Sequence, residues 1–179
     1  MKLINKIKIT ALFLMTVSLS SAQNNIEGGL KVSFNMPSSC EKGVDGVSGV
    51  SFGYFETLYL TERLALQGEI NFSEFGFEKK IGEGDTAFTE ETDISLVEIP
   101  VLLSTRLKLA SGQALLGGGV QYTRGDITEW VPVIDLSIHI NEFRLNARYI
   151  NYKDEFGFYR SSNFSVGIGF VFLWYYIMD

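Results

Sequence analysis

The stretch LALQGEINFS (64–73) separates its side chains into two classes at every second position. The even positions are apolar or glycine, and they hold Leu64, Leu66, Gly68, Ile70 and Phe72. The odd positions hold Ala65, Gln67, Glu69, Asn71 and Ser73. Because successive side chains of a β-strand point to opposite faces, this period of two predicts a strand with one apolar and one polar face.

The same alternation recurs in seven further stretches, so the sequence predicts eight strands. The others fall in IEGGLKVSFN, VSGVSFGYFE, VEIPVLLSTRLKL, QALLGGGVQYT, IDLSIHI, FRLNARY and FSVGIGFVF. Strands of roughly nine to twelve residues are long enough to cross a bilayer when they are tilted. No window after residue 22 stays apolar for the roughly 18 residues of a membrane helix. The composition, with 18 Gly, 14 Phe and 8 Tyr, also favours an all-β protein.

The connections between these stretches alternate in length. Long ones are predicted at 35–46, 78–93 and 152–162, with a medium one at 125–130, and short turns near Leu58–Glu62, Ser111 and Asn141–Glu142. Outer-membrane barrels have long loops outside the cell and short turns in the periplasm. We therefore expect an all-β fold, an eight-stranded antiparallel up-and-down transmembrane β-barrel, with both ends of the chain on the periplasmic side.

Residues 1–22 are predicted to be a cleaved signal peptide. Three lysines at positions 2, 6 and 8 precede the apolar run ITALFLMTVSLS, and the small residues SSA (20–22) precede Gln23. The apolar run is shorter than the roughly 20 residues of a membrane-spanning helix. Residues 23–179 then form one outer-membrane β-barrel domain, located in the outer membrane after export.

The charge of the predicted mature chain argues against nucleic acid as a partner. Loss of the three leader lysines reduces the 15 basic residues to 12, against 21 acidic residues. Phosphate binding needs clusters of basic residues, which this chain lacks. Cys40 is the only cysteine, so no disulfide can form within the chain, and we expect a free thiol in a loop.

The polar face of the strands decides which side of the barrel faces lipid. It carries charges of both signs beside many Gly and Ser, as expected for an interior filled by side chains. The predicted lumen network, with a structural role, consists of Glu27, Lys31, Gln67, Glu69, Glu98, Arg106, Asp135, His139, Arg144 and Arg148. The apolar face would then contact outer-membrane lipid. Its ends are rich in aromatic residues, as in interfacial girdles: Tyr54, Tyr59, Tyr122, Trp130, Tyr149 and Trp174.

Three stretches resemble the PorT-type family of outer-membrane β-barrel proteins of Bacteroidetes. They are LALQGEINFSEFGFEKK, SLVEIPVLLSTRLKL and RLNARYINY with NFSVGIGFVF, and LVEIPVLL (96–103) is similar to that family's LEIPLLLKY strand. The resemblance implies a porin-family barrel. Two features depart from the family pattern. Such barrels usually end on an aromatic residue, whereas here the segment LWYYIMD follows Phe172. The mature chain is also shorter than the family's named member, so that member's association with protein secretion is a weak guide to the function of this chain.

The sequence predicts no catalytic, cofactor or metal site. His139 shares a strand face with Asp135 and Ser137, but residues two apart on one strand stand side by side and do not form a nucleophile–base chain. Acidic residues in the second long connection lack calcium-loop spacing, so we expect a solvated acidic loop: Glu78, Glu83, Asp85, Glu90, Glu91 and Asp93.

The expected function is a structural or interaction role in the cell envelope, with protein partners bound through the long loops. The alternatives are a narrow small-solute porin and a soluble lipocalin-like carrier of an apolar ligand.

Overall fold

The computed structural model describes residues 26–39, 43–81, 88–126, 128–152 and 161–175, with side chains to Phe172. Its nine strands are β1 (Ile26–Ser39), β2 (Val44–Val47), β3 (Gly49–Tyr59), β4 (Leu64–Ile81), β5 (Phe88–Leu109), β6 (Gly112–Gly125), β7 (Glu129–Ile140), β8 (Phe143–Asn151) and β9 (Ser161–Tyr175). Within these residues, no helix has the length and apolar character needed to span a membrane. The predicted signal peptide and Cys40 lie outside the described residues.

The strands form one antiparallel sheet that closes on itself. β1 pairs with both β3 and β9. The remaining pairings run in order from β3 through β4, β5, β6, β7 and β8 to β9, which closes the ring. The all-β prediction is confirmed, although the described residues form nine strands where the sequence predicted eight.

The additional strand, β2, lies mostly in a segment that the sequence predicts to be a connection: residues 44–46 belong to that connection, and Val47 begins the predicted second strand. β2 and β3 are separated only by Ser48, and both pair with β4. Val47 lies opposite Gly76 and Ser51 lies opposite Ser73, so the register shifts by one residue between the two strands. One extra residue in one strand of an antiparallel pair is the geometry of a β-bulge.

The three predicted short turns lie at one end of the ring, which we call the short-turn end. They connect β3 to β4 at 60–63, β5 to β6 at 110–111 and β7 to β8 at 141–142. Asn141 has a φ of 52°, a left-handed conformation that asparagine tolerates in tight hairpin turns. We call the opposite end the long-loop end.

The predicted loop over 78–93 is wrong for residues 78–81 and 88–93, which are strand; residues 82–87 lie outside the described part. At Glu74 the two faces of β4 exchange character. Phe75 and Phe77 point inward and are buried, whereas Glu74 is exposed on the outside. β4 and β5 therefore extend beyond the apolar belt of the barrel as a long hairpin.

The faces of the strands separate sharply. Inward positions in the middle of the barrel carry buried polar and charged side chains, and outward positions carry apolar ones such as Phe72, Ile134 and Ile168, each more than half exposed. Toward the long-loop end the interior becomes apolar. The cluster there consists of Val44, Phe75, Phe77, Ile94, Leu96, Leu102, Val131, Val133, Ile150 and Tyr152.

Candidate functional site

Five charged side chains meet in the middle of the barrel interior. They are Lys31 on β1, Glu69 on β4, Asp135 on β7, and Arg144 and Arg148 on β8, each at most 4% exposed. Strand alternation brings them together, because each occupies an inward position of its strand. A charge removed from water is costly unless it is paired and hydrogen-bonded, so the pairing inside this cluster determines whether the fold tolerates it.

Arg148 joins two carboxylates. Its Nη1 and Nη2 donate to Glu69 Oε2 and Oε1, both at 2.8 Å. Its Nε donates to Asp135 Oδ1 at 2.9 Å. The planar fork of a guanidinium matches a carboxylate in this two-pronged way. Arg148 therefore links β8 both to its neighbour β7 and to β4 on the opposite wall.

Glu69 is the acceptor at the centre of the cluster. Besides Arg148, it accepts from Lys31 Nζ at 2.5 Å and from Asn71 Nδ2 at 3.1 Å. Arg144 Nη2 approaches its other oxygen at 3.4 Å. Three cations thus surround one carboxylate, with Asp135 as the second anion of the cluster.

Arg144 is held mainly by neutral groups. Its Nη2 donates to Gln67 Oε1 at 2.6 Å, and its Nε donates to Ser137 Oγ at 3.1 Å. The guanidinium carbon lies 4.6 Å from the centre of the Phe55 ring, which adds a cation–π contact. These contacts join Arg144 to β7 through Ser137, to β4 through Gln67 and to β3 through Phe55.

A second cluster lies toward the short-turn end. Glu27 Oε2 accepts from Tyr59 Oη at 2.6 Å, and Glu27 Oε1 lies 2.5 Å from His139 Nδ1. Gln113 also donates to Tyr59 Oη, and Arg106 lies 4.5 Å from the centre of the Tyr59 ring. An open pocket of about 550 Å³ ends on this cluster and is lined by Arg106, Ser111, Gly112, Gln113, His139, Asn141 and Glu142.

A third cluster surrounds Glu98 toward the long-loop end. Glu98 accepts hydrogen bonds from Ser73 Oγ at 2.5 Å, Gln121 Nε2 at 2.8 Å and Tyr152 Oη at 2.9 Å. All three donors are neutral, and no described cation forms an ion pair with this carboxylate. Beyond it lies the apolar cluster that includes Phe75 and Tyr152, whose ring centres are 6.1 Å apart.

The ten residues predicted for the lumen network divide among these three clusters. Nine are buried, and Arg106 is partly exposed at the pocket. Gln67, Glu69, Lys31, Asp135, Arg144 and Arg148 share one network, whereas Glu27 and His139 form a separate pair and Glu98 is isolated from the arginines. The structural role of the network stays a prediction.

His139 does not join Ser137 and Asp135. Ser137 Oγ donates directly to Asp135 Oδ2 at 2.6 Å, while His139 faces Glu27 across the interior. No described residues form a Ser–His–Asp relay through these three positions. Among the residues that the structure describes, no group of three or more His, Cys, Asp or Glu side chains is arranged to hold a metal ion.

Tyr59 corrects the predicted aromatic girdle. The sequence predicts Tyr59 on the apolar outer face, but the residue points inward, is 5% exposed and donates to Glu27. Its odd position on β3, in phase with Ser51 and Gly53, was the available signal. The predicted network also omits the donors Gln121 and Tyr152. Gln121 is in phase with the inward residues of β6, and Tyr152, which directly follows β8, continues the inward phase of that strand. The side chain of Trp174 lies outside the described part.

Comparison with known proteins identifies the fold. No family model matches the chain, and no curated protein matches it. Among solved structures it is similar to the outer membrane protein OprG from Pseudomonas aeruginosa, with 14% identity, 83% of this chain and 95% of that chain covered, and a TM-score of 0.50. It is also similar to the outer membrane protein AlkL in DMPC lipid bilayers, with 11% identity, coverage of 88% and 94%, and a TM-score of 0.51.

The chain has the fold of the small outer-membrane β-barrels. At these identities the likeness concerns the fold alone. The resemblance to the PorT-type family of Bacteroidetes stays a prediction from the three quoted stretches.

Proposed function

We propose that this chain is an outer-membrane β-barrel protein whose filled interior makes it a structural or interaction protein of the cell envelope. In this proposal β2 and β3 form one bulged membrane strand, so that eight strands surround the lumen. The short-turn end faces the periplasm, and the long-loop end faces outward. Export with cleavage after Ala22 brings the chain to the outer membrane.

The observation that carries the proposal is the reversed distribution of polarity. Arg144, Arg148 and Glu69 are buried inside, while large apolar side chains are exposed around the outside. A monomer in water rarely exposes so continuous an apolar surface. On β4 the outward apolar run extends from Leu64 to Phe72, nine positions that end before Glu74, and a tilted membrane strand needs about 9–11 residues.

A structural role is favoured over conduction because the lumen is occupied. The Arg148–Glu69 contact spans the barrel from wall to wall, and the apolar cluster around Phe75 and Phe77 lies beyond it. Eight strands enclose a space just wide enough for side chains. The buried charges also argue against an apolar ligand, which the lipocalin-like alternative requires. We propose a non-enzymatic role, since His139 is paired with Glu27 and not with a nucleophile.

Fractionation of cells combined with heat-modifiable gel mobility tests the proposal. We expect the mature protein in the outer-membrane fraction, with faster migration before boiling than after it. N-terminal sequencing should begin at Gln23. Recovery as a soluble protein without a mobility shift would overturn the membrane orientation.

The pocket at the short-turn end is the one observation among the described residues that favours the porin alternative. Liposome swelling separates the two functions. We expect no solute-size-dependent swelling with the purified barrel, and an established porin reconstituted in parallel serves as the positive control. Swelling that falls with solute size would replace the structural role by conduction.

A further inference from the structure

The extended hairpin formed by β4 and β5 leaves one strand edge open. Residues 88–95 of β5 pair with residues 74–81 of β4 on one side. On the other side, pairing with β6 begins only at Leu96, opposite Gly125. Among the described residues, no strand pairs with the other side of Phe88–Ile94.

The direction of the free backbone groups follows from two neighbouring residues. Ser95 faces the β6 side, because its carbonyl oxygen accepts from the Asp126 amide at 3.3 Å and its own amide donates to the Asp126 carboxylate at 2.7 Å. Pro100 has no amide hydrogen, and the β4–β5 ladder has a gap between the pairs Gly68–Val101 and Asn71–Glu98. Even positions of β5 therefore face β4, and odd positions face the open side.

By this period of two, Thr89, Glu91 and Asp93 present their amide and carbonyl groups to the open side. These residues are exposed. Such a row of unpaired donors and acceptors is a template for an additional strand. The edge is long enough for an extended segment of about six residues.

The outward face of this hairpin is acidic apart from Lys80, and its charges select the partner. Asp45, Glu78 and Glu91 lie directly opposite one another on β2, β4 and β5, and directly opposite residues share one face of a sheet. Asp93 lies on the same face, two positions from Glu91. Neither Glu91 nor Asp93 forms an ion pair with a described residue. Like charges placed opposite each other are destabilising, and a cationic partner would relieve this repulsion.

We propose that the β5 edge at Phe88–Ile94 binds an extended, lysine- or arginine-rich segment of another protein as an added antiparallel or parallel strand. The proposal rests on the interaction role proposed above and names the partner's chemistry. Main-chain hydrogen bonds to Thr89, Glu91 and Asp93 supply the docking, and alternate basic side chains meet the acidic face. A second copy of this chain is a poorer occupant, because two such edges would bring carboxylates together.

Fluorescence anisotropy with labelled peptides tests the proposal on the full barrel in detergent micelles, after its heat-modifiable mobility has shown that it is folded. The probe is a peptide of about eight residues in which Lys alternates with Val and Thr. Two comparison peptides replace Lys by Glu, or replace the alternate Val and Thr residues by Pro. We expect binding of the first peptide only, weakened by salt.

Two variants separate strand addition from simple charge attraction. The double variant Glu91→Lys/Asp93→Lys should lose at least about tenfold in affinity for the Lys peptide and gain affinity for the Glu peptide. Thr89→Pro keeps every charge but removes one amide donor from the edge, where proline is tolerated, and it should also weaken binding several-fold. The control Glu62→Lys/Glu142→Lys makes the same charge change at the short-turn end and should leave binding unchanged.

Equal binding of the Pro-substituted and the extended Lys peptides would overturn strand addition, since only charge attraction would then remain. Absence of Lys-peptide binding to correctly folded barrel would also overturn it. Either result leaves the outer-membrane barrel role untouched, because fractionation and gel mobility test that role separately.

Discussion

Arg148 on β8 makes two 2.8 Å hydrogen bonds to the two oxygens of Glu69, a residue on the opposite wall of the barrel. The same guanidinium reaches Asp135 on the neighbouring strand at 2.9 Å. These hydrogen bonds compensate for part of the hydration free energy that the charged groups lose on burial. Closure of the lumen and pairing of its charges therefore depend on the same side chain.

Replacement of Arg148 should strongly destabilise the folded barrel. Arg148→Ala leaves Glu69 and Asp135 buried without their main partner, and breaking a buried ion pair in this way costs about 3–5 kcal/mol. Urea unfolding in detergent or lipid, followed by tryptophan fluorescence, measures the change.

The control for this variant is Lys108→Ala. Lys108 approaches Glu62 at 3.4 Å, but both side chains are largely exposed, so its loss should change stability little. An unchanged unfolding midpoint for Arg148→Ala would mean that water, and not Arg148, solvates the interior carboxylates.

The adjacent glycines 118 and 119 should respond differently to alanine. A Cβ on Gly119 would lie 2.0 Å from the Val101 carbonyl oxygen, whereas one on Gly118 would have no atom nearer than 3.8 Å. Gly119→Ala should therefore cost about 1–3 kcal/mol or prevent folding, as overpacking does. Gly118→Ala should stay within about 0.5 kcal/mol of the parent. Folded yield and urea midpoint compare the two, and equal effects would contradict the close strand approach at Gly119.

The free-energy cost of an arginine on the outer face should depend on how deeply the substituted position lies in the bilayer. Leu136 lies in the middle of the outward face of β7, and Leu109 ends β5 beside the short turn. In a bilayer, Leu136→Arg should cost about 2–4 kcal/mol and Leu109→Arg about 0–1 kcal/mol. Equilibrium unfolding from lipid vesicles measures both. If both changes proved harmless, the outer face would be in contact with water.

The hydroxyl of Tyr152 should contribute to stability through Glu98. Tyr152→Phe removes one of three neutral donors from that buried carboxylate, and a hydrogen bond to a charged group is worth about 1.5–3 kcal/mol. Tyr149→Phe is the matched control, because Tyr149 faces outward on β8, the strand that Tyr152 directly follows, and is 43% exposed. Chemical unfolding of both variants should separate them, and equal midpoints would argue against the Tyr152–Glu98 bond.

The strand centres were predictable from the sequence because each keeps one apolar and one polar face through the lipid belt. The strand ends were not. At Glu74 the inner face of β4 becomes apolar and the outer face becomes charged. A prediction that assumes one constant pattern along the strand therefore ends it at Ser73, although the strand continues to Ile81. β2 was missed for a related reason, since the bulge at Ser48 breaks its phase with β3.

Which residues point into the interior was likewise more predictable than which of them contact one another. The period of two placed Glu69, Arg148 and His139 on the inward face. It could not show that His139 meets Glu27 and not Asp135, because these partners come from strands far apart in the chain. Tyr59 was assigned outward on residue type, although its strand position pointed inward.

The sequence by itself determined the all-β class and the two-faced character of nearly every strand, because side-chain direction alternates locally and needs no tertiary information. Tertiary structure alone decided which charges meet, how far β4 and β5 extend, and that the β5 edge stays open among the described residues. These features depend on register between strands and on the closure of the sheet, which join residues as distant as Glu27 and His139. Local periodicity carries no information about such distant contacts.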